Sequence, residues 1–570
     1  MLPQKTISFL VEQFLIAPLV LVSMIGCTAV QPASISSEII VSEEQPAETN
    51  SPPSTSEKFS LSAATATFES DSPIYLKSDP LPTAVQTKLN NLEKVEWVES
   101  DEPADYYLKI NHSNEPAGSA YIQWVYAVTG AFPTVQDELG LDQIKDCWQG
   151  ASKADFRLLI SEEAMPIFRV LWGEADRKNV EVLPAEDLLQ KAWQERGFRA
   201  IIPFEQIEPR WKVLRVDGVS PLDQDFEIDT YGLTVRWEWQ SNSQTPLDAI
   251  IDTQAVITNR LMEKFTSLIL TGTTALVRRT AERMELNGLE YPLEDIGDLL
   301  RQADFTHISN EVSFYANCPP AVPLRGGQRF CANPRYVEFL KLAGADLIEL
   351  TGNHLLDWGK EPFTYTLNLY NQEGLQYFGG GINLEEARQP LRVEHNGNRL
   401  ALIGCNRAGP ENIWATEDQP GPAPCDFGWL QNTIQNLVED GFLPIVTFQH
   451  FEVEDFMPMN LTLQEFEQAA QMGAVIVSGS QAHFAHGFGF YQNHFMHFGL
   501  GNLFFDQMFP LHRRQFIDRH LFYDGKYLGV ELITTRLEDF AKPRLMTEEE
   551  RAQMLEDYFR VSGWLNTEKP

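Results

Sequence analysis

An α/β fold in more than one domain is what this sequence predicts, and three observations predict it. Short apolar runs alternate with longer amphipathic stretches along most of the chain, the pattern of strands joined by helices. At 570 residues the chain is too long for one ordinary domain. With 43% hydrophobic residues, 35 Phe among the total, it can build sizeable cores.

The elements follow in order. Residues 1–27 read as a processing segment rather than part of the fold. The apolar stretch at 14–26 is too short to span a bilayer comfortably, and it ends in Ser23-Met24-Ile25-Gly26-Cys27. A small residue and then Cys after an apolar run resembles a bacterial lipoprotein signal, with Cys27 carrying the lipid. An uncleaved anchor and a plain secretory signal are the alternatives. All three place the bulk outside the cytoplasm, and the first makes it lipid-anchored to the cell membrane. Residues 28–60 are rich in Ser, Pro, Glu and Thr, bury too little apolar surface to fold, and read as a disordered tether.

Residues 61–240 form an amino-terminal α/β domain. Residues 156–160 read as a strand, after which Ser161 caps a helix with Glu162 and Glu163 in its first turn. A helix at 184–196 puts Leu188, Leu189 and Trp193 on one face, and 198–204 is another strand. The passage Thr134 to Gly150 resembles a segment of phosphate-type solute-binding proteins. That resemblance implies a periplasmic-binding-like domain; the alternative is an α/β domain that only packs against its neighbour. No ligand constellation is legible in it.

Residues 245–540 form the second domain. Helices are expected at 252–261, 291–302, 334–342 and 362–373. Strands are expected at 266–270, 305–309, 345–350, 400–404, 443–448, 474–478, 495–498 and 528–535, with a hairpin turn at Asn396-Gly397. A carboxy-terminal segment, 541–570, carries a charged amphipathic helix at 546–565, expected on the surface.

The formal net charge of −36 excludes nucleic acid and anionic membrane surfaces as electrostatic partners. Of six cysteines, five follow Cys27. Outside the cytoplasm they should pair. Cys318 and Cys331 flank one loop and Cys405 and Cys425 another, so local pairs are expected and Cys147 is left as a buried thiol. No spacing suggests a cysteine zinc site.

The most informative segment is Thr351-Gly352-Asn353-His354-Leu355-Leu356-Asp357-Trp358-Gly359. It places Asn and His just past the carboxyl end of an apolar strand, where open α/β sheets put their sites. Asn oxygen and His nitrogen can ligate a divalent metal. An Asn/His turn with a helix cap is the other reading.

This segment resembles the Asn-Asn-His-x-x-Asp-x-Gly signature of the CapA family of poly-γ-glutamate capsule biosynthesis proteins. Six further segments match that family in order. They are Leu268 to Thr273 with Arg278, Ser309-Asn310-Glu311, Phe378 to Ala387, His450 to Glu454, Gly479 to His483, and Leu500 to Asp506. The resemblance implies a four-layer metallophosphatase-like (calcineurin-like) α/β sandwich. It implies metal ligands at Asn353, His354, His450, His483 and Glu311, and catalytic roles for His354, His450 and Glu454. It implies substrate contacts at Arg278 and Asn502. The implied cofactor is a divalent metal, manganese or zinc, that activates water against a phosphoester or related bond.

Four departures qualify this. Thr273 stands where the family has an Asp ligand, Gln481 where it has a His, and Glu452 where it has Gly; Asn310 is offset by one. Two candidate ligands are lost, so one ion or none is as expected as two. The implied role is synthesis, export or anchoring of a capsular polymer such as poly-γ-glutamate, with the polymer or its synthase complex as partner. Two alternatives stand beside it: a catalytically degenerate scaffold that binds a cell-surface polymer or synthase complex, and a solute-binding lipoprotein.

Overall fold

The computed structural model describes residues 73–91, 95–98, 103–112, 121–151, 155–242, 256–321 and 329–565. The expected signal, Cys27 and the 28–60 tether lie outside the described residues. No helix among the described residues is long and apolar enough to cross a membrane.

Residues Phe265–Leu545 build two facing sheets with helices on both outer sides. Alternation within each strand decides the layers. In strand Phe265–Thr271, Leu268 and Leu270 face the second sheet while Ile269 faces helices. In strand Asn398–Asn406, Leu400 and Leu402 face the first sheet while Ala401 and Ile403 face helices. Outer helices Arg278–Asn287, Val337–Leu342 and Lys360–Glu373 cover one side; Phe427–Glu439 and Asn460–Met472 cover the other. The result is the expected four-layer α/β sandwich.

The first sheet runs Gln376–Phe378, Leu347–Glu349, Phe305–Asn310, Phe265–Thr271, Arg514–Tyr523, Lys526–Glu538, Lys542–Leu545. The first four are parallel; Arg514–Tyr523 pairs antiparallel with Phe265–Thr271. The second runs Leu391–His395, Asn398–Asn406, Leu443–Gln449, Ile476–Ser478, His494–His497, Phe488–Tyr491.

Toward the carboxyl ends, the row facing the gap between the sheets turns polar. Two residues beyond Phe305, Leu347, Ile476 and Phe495 stand His307, Glu349, Ser478 and His497, and Asp518 on the antiparallel strand pairs with Leu270 at this level, all buried. His307 accepts the Thr271 N–H at Nδ1 (3.2 Å), so its Nε2–H donates to Glu349 (3.0 Å). Thr351 and Ser480 also donate to Glu349. This polar layer is the floor beneath the strand-end loops.

The amino-terminal residues form an eleven-stranded mixed sheet. Its core also takes in Phe265, Leu521, Tyr523 and Leu528, so it is continuous with the sandwich. Helix Leu141–Gln149 ends where Gly150 adopts a left-handed φ of 74°.

Several expectations need correction. The helix expected at 252–261 is not there in its described part: Ile257–Thr258 is a strand, and Asn259 bonds the backbone of Val125 through both amide atoms. The 291–302 helix is broken into Tyr291–Leu293 and Gly297–Arg301. Ser161 caps a turn, accepting from Ala164 N–H, and the helix begins at Met165. The helix Glu548–Val561 has the expected amphipathic face, but Met554, Leu555, Tyr558 and Phe559 reach the core between the sheets. The expectations do not include strand Arg514–Tyr523. Both expected disulfides are present, Cys318–Cys331 and Cys405–Cys425, and Cys147 is a buried free thiol.

Candidate functional site

The candidate site gathers at the carboxyl ends of strands Phe265–Thr271, Phe305–Asn310 and Leu347–Glu349. Close backbone packing sets it up. A Cβ on Gly352 would lie 2.8 Å from Glu311 Cα, and one on Gly272 would lie 1.8 Å from the Gly501 carbonyl. Only glycine lets these loops touch. Their contact brings Glu311, Asn353, His354, His483 and Asn502 into one neighbourhood.

Glu311 is fully buried, and among the described residues neither carboxylate oxygen finds a hydrogen-bond donor. His483 Nε2 faces it at 3.4 Å, an ion contact rather than a well-made hydrogen bond. Asn502 Oδ1 lies 2.7 Å from His483 Nδ1 while its amide donates to Gln507. An oxygen can only accept, so Nδ1 carries the proton and Nε2 is turned toward Glu311. This is how an outer residue fixes a ligating imidazole. Phe505 stacks on the His483 ring at 5.0 Å. Among the described residues Asn353 Oδ1 is buried and unpartnered, as are Thr273 Oγ1 and both amide atoms of Gln481.

The electrostatics follow. Burial alone would push the Glu311 carboxyl up, but His483, then His354 and Arg278, outweigh it and hold it below 4.5. Burial alone would pull His483 down, but Glu452 and Glu311 reverse this and push it up to about 10. Glu452 itself is pushed up, by desolvation first and then by Glu311. Its side chain nonetheless meets solvent, so water screens its share. Glu452 entered the sequence comparison only as a departure, yet its charge, with that of Glu311, supports the His483 imidazolium.

His354 stands one step back. Its Nδ1 bonds Asp357 at 2.8 Å, and the same Asp357 oxygen takes the Phe330 N–H. Burial lowers its pKa, but Asp357 and Glu311 win and raise it. Arg278, at a left-handed φ of 47°, is committed to Asp506 through a bidentate pair and lies over Phe505 and Phe330.

Two expected residues are not brought in. His450 accepts the Phe451 N–H at Nδ1 (2.8 Å), so its Nε2–H donates to Glu465 on helix Asn460–Met472 (2.7 Å). Both ring nitrogens are used, and Arg407 completes the cluster around Glu465. Glu454 is exposed, with His512 Nε2 3.8 Å away. Sequence could not reveal Glu465, which reaches His450 only because a helix folds back over the strand end. Asp506 lies inside a matched segment, and an acid so near Arg278 in the fold was findable there.

Do these residues fit a metal? Among the described residues, no group of three or more His, Cys, Asp or Glu is placed to hold an ion. Glu311 and His483 make two such donors, and Asn353 adds a neutral oxygen. Two donors on one tetrahedral ion stand roughly 3.4 Å apart when each bond is about 2.1 Å, which matches the Glu311–His483 separation. The Glu311–His483 pair therefore fits one ion, with the buried, unpartnered Asn353 Oδ1 as the candidate for a further neutral oxygen. With Thr273 and Gln481 in place of stronger ligands and His450 withdrawn, it does not fit two. A proton on Nε2 satisfies the same pair.

Comparison with known proteins bears on this region. Residues 267–507 match the family model described as "Bacterial capsule synthesis protein PGA_cap". The chain is 24% identical over 264 residues to the capsule biosynthesis protein CapA of Bacillus anthracis, covering 44% of this chain and 62% of that protein. It is 23% identical over 176 residues to the PGA biosynthesis protein CapA of Bacillus subtilis (strain 168), covering 31% of this chain and 46% of that protein. The chain thus matches less than two thirds of the length of either. A solved structure of the sulfate thiohydrolase SoxB from "Termus thermophilus" is 13% identical, with a TM-score of 0.27, over 45% of this chain and 43% of that one. An ABC-type phosphate transport receptor from Vibrio cholerae is 13% identical, with a TM-score of 0.24, over 30% of this chain and 88% of that one.

Proposed function

Since the chain belongs, through residues 267–507, to the bacterial capsule synthesis protein family, we propose that it serves the synthesis, export or anchoring of a capsular polymer such as poly-γ-glutamate. It works outside the cytoplasm, tethered to the membrane through a lipid on Cys27, with the polymer or its synthase complex as partner. Two disulfides suit that compartment.

Within this role the site acts with a single divalent ion, manganese or zinc. The observation that carries this is Glu311, whose two buried oxygens lack hydrogen-bond partners while His483 presents Nε2 to them. Glu311, His483 and Asn353 would hold the ion. Bound there, it would polarise a carbonyl or phosphoryl oxygen and offset the charge of an anionic polymer, which a chain of net charge −36 otherwise repels. Asn502 keeps Nε2 directed inward, Asp357 orients His354, and Phe505 and Phe330 shield the cluster from water.

A second reading is favoured by the raised pKa of His483, at about 10. There a proton takes the ion's place and the domain is a binding scaffold. Elemental mass spectrometry separates the two. The purified chain would be incubated with manganese or zinc and desalted, beside a Glu311→Gln, His483→Ala variant and a His450→Ala control. One ion per chain, lost in the double variant and kept in the control, supports the metal reading. No retained ion, with poly-γ-glutamate still bound, supports the scaffold.

A further inference from the structure

The amino-terminal sheet contains a crevice of its own. The long strand Tyr121–Ala131 runs through two halves. Its residues 121–125 pair antiparallel with Thr234–Ser241, which continues into Tyr106–Asn111 and Ile74–Ser78. Its residues 126–129 pair antiparallel with Phe198–Pro203, which continues into Arg157–Ser161. These registers make Ile74–Ser78 run along the long strand and Phe198–Pro203 and Arg157–Ser161 run against it. The carboxyl ends of both halves therefore face the junction at Tyr126. That is the kind of switch point where open α/β sheets hold ligands.

A cavity of about 140 Å³ lies there, lined by Thr83, Tyr126, Ser161, Glu163, Glu205 and Gln206 among others. Helix Thr83–Asn90 points its amino end into it, which would ordinarily attract an anion. Glu163 already fills that role, accepting the Thr83 N–H at 2.6 Å. Glu205 is the second carboxylate, held by Asn259 Nδ2 at 2.5 Å. Among the described residues, no Lys, Arg or His lines the cavity. Tyr126 is 1% exposed, yet its hydroxyl has no hydrogen-bond partner among the described residues. Tyr126 shares the cavity lining with both acids, and burial first, then Glu205 and Glu163, push its phenol well up.

We propose that this junction cavity binds the protonated amine of a small ligand, with Glu205 and Glu163 as its acceptors and Tyr126 as a further oxygen. An ammonium group brings the donors and the positive charge that the lining lacks, and a cavity of about 140 Å³ limits the ligand to a short amine. Such a site would give the domain a ligand constellation that the sequence alone does not show. It also argues against phosphate, which would meet two carboxylates.

Calorimetric titration of the full chain with ethanolamine hydrochloride tests it, with potassium chloride and sodium phosphate as competing probes. Saturable one-to-one binding of ethanolamine is expected, weakened about tenfold by Glu205→Gln and several-fold by Tyr126→Phe. Absence of saturable ethanolamine binding would overturn the proposal. So would binding unchanged in both variants, potassium bound as tightly, or phosphate bound instead.

Discussion

Replacing Glu311 by Gln should move the titration of His483. The two charges lie 3.4 Å apart, and unit charges at that distance attract by about 5 kcal/mol at an effective dielectric near 20. Burial works against the imidazolium, and Glu452 shares in supporting it. Because Glu452 meets water, removing Glu311 should lower the pKa by roughly 2 units, or about 3 kcal/mol. The sign follows from linkage. The folded pKa of His483, about 10, lies above its ordinary 6.5, so its contribution is full below pH 6.5 and is lost as pH rises through about 10. On the acid side Glu311 is held below 4.5, so its contribution is full above that value and is lost only as pH falls through its lowered pKa. The assay is NMR titration of the imidazole in chelator-treated protein, with urea unfolding at pH 6 and pH 10. Wild type should exceed Glu311→Gln in stability by about 3 kcal/mol at pH 6, the gap closing or reversing by pH 10. A wild-type His483 that titrates near its ordinary 6.5, or a gap independent of pH, would refute the reasoning.

Two other outcomes are expected. His450→Ala should cost about 1–3 kcal/mol by stranding buried Glu465 with Arg407 alone, while leaving metal content unchanged; denaturant melts and elemental analysis check both halves. Phe559→Ala should cost about 3–5 kcal/mol, since that ring packs against Phe132, Phe488 and Trp564 in the core between the sheets; thermal unfolding would show it.

Much of the sandwich was legible because its strands alternate cleanly. Leu268 and Leu270 against Ile269 state both faces of the first strand, and apolar runs ending in Gly-Asn-His mark where loops carry chemistry. The 291–302 stretch misled because helical spacing continues across the turn at 294–296, which separates the one-turn helix Tyr291–Leu293 from Gly297–Arg301. Strand Arg514–Tyr523 is crowded with Arg, Asp and His, so it does not read as a buried strand, yet His520 and Asp518 are fully buried there. At the site, Glu311, Asn353, His354, His483 and Asn502 were readable from motif and strand-end position. The withdrawal of His450 was not, because a side chain's direction depends on the tertiary partner it finds. The junction cavity escaped for the same reason: Thr83, Tyr126, Glu163 and Glu205 share no motif and meet only through the sheet's reversal.

The pairing of Phe265–Thr271 with residues Ile517–Tyr523 bears on how the sandwich is made. Its opening strand is flanked on one side by a segment made long after it, Ile517–Tyr523. Closing so long a loop is entropically unfavourable and slow. Until it closes, an apolar edge of Leu268, Ile269 and Leu270 stands open to other chains. Truncation before Tyr523 should therefore yield aggregates rather than a smaller working domain, because the partner that covers this edge would be missing.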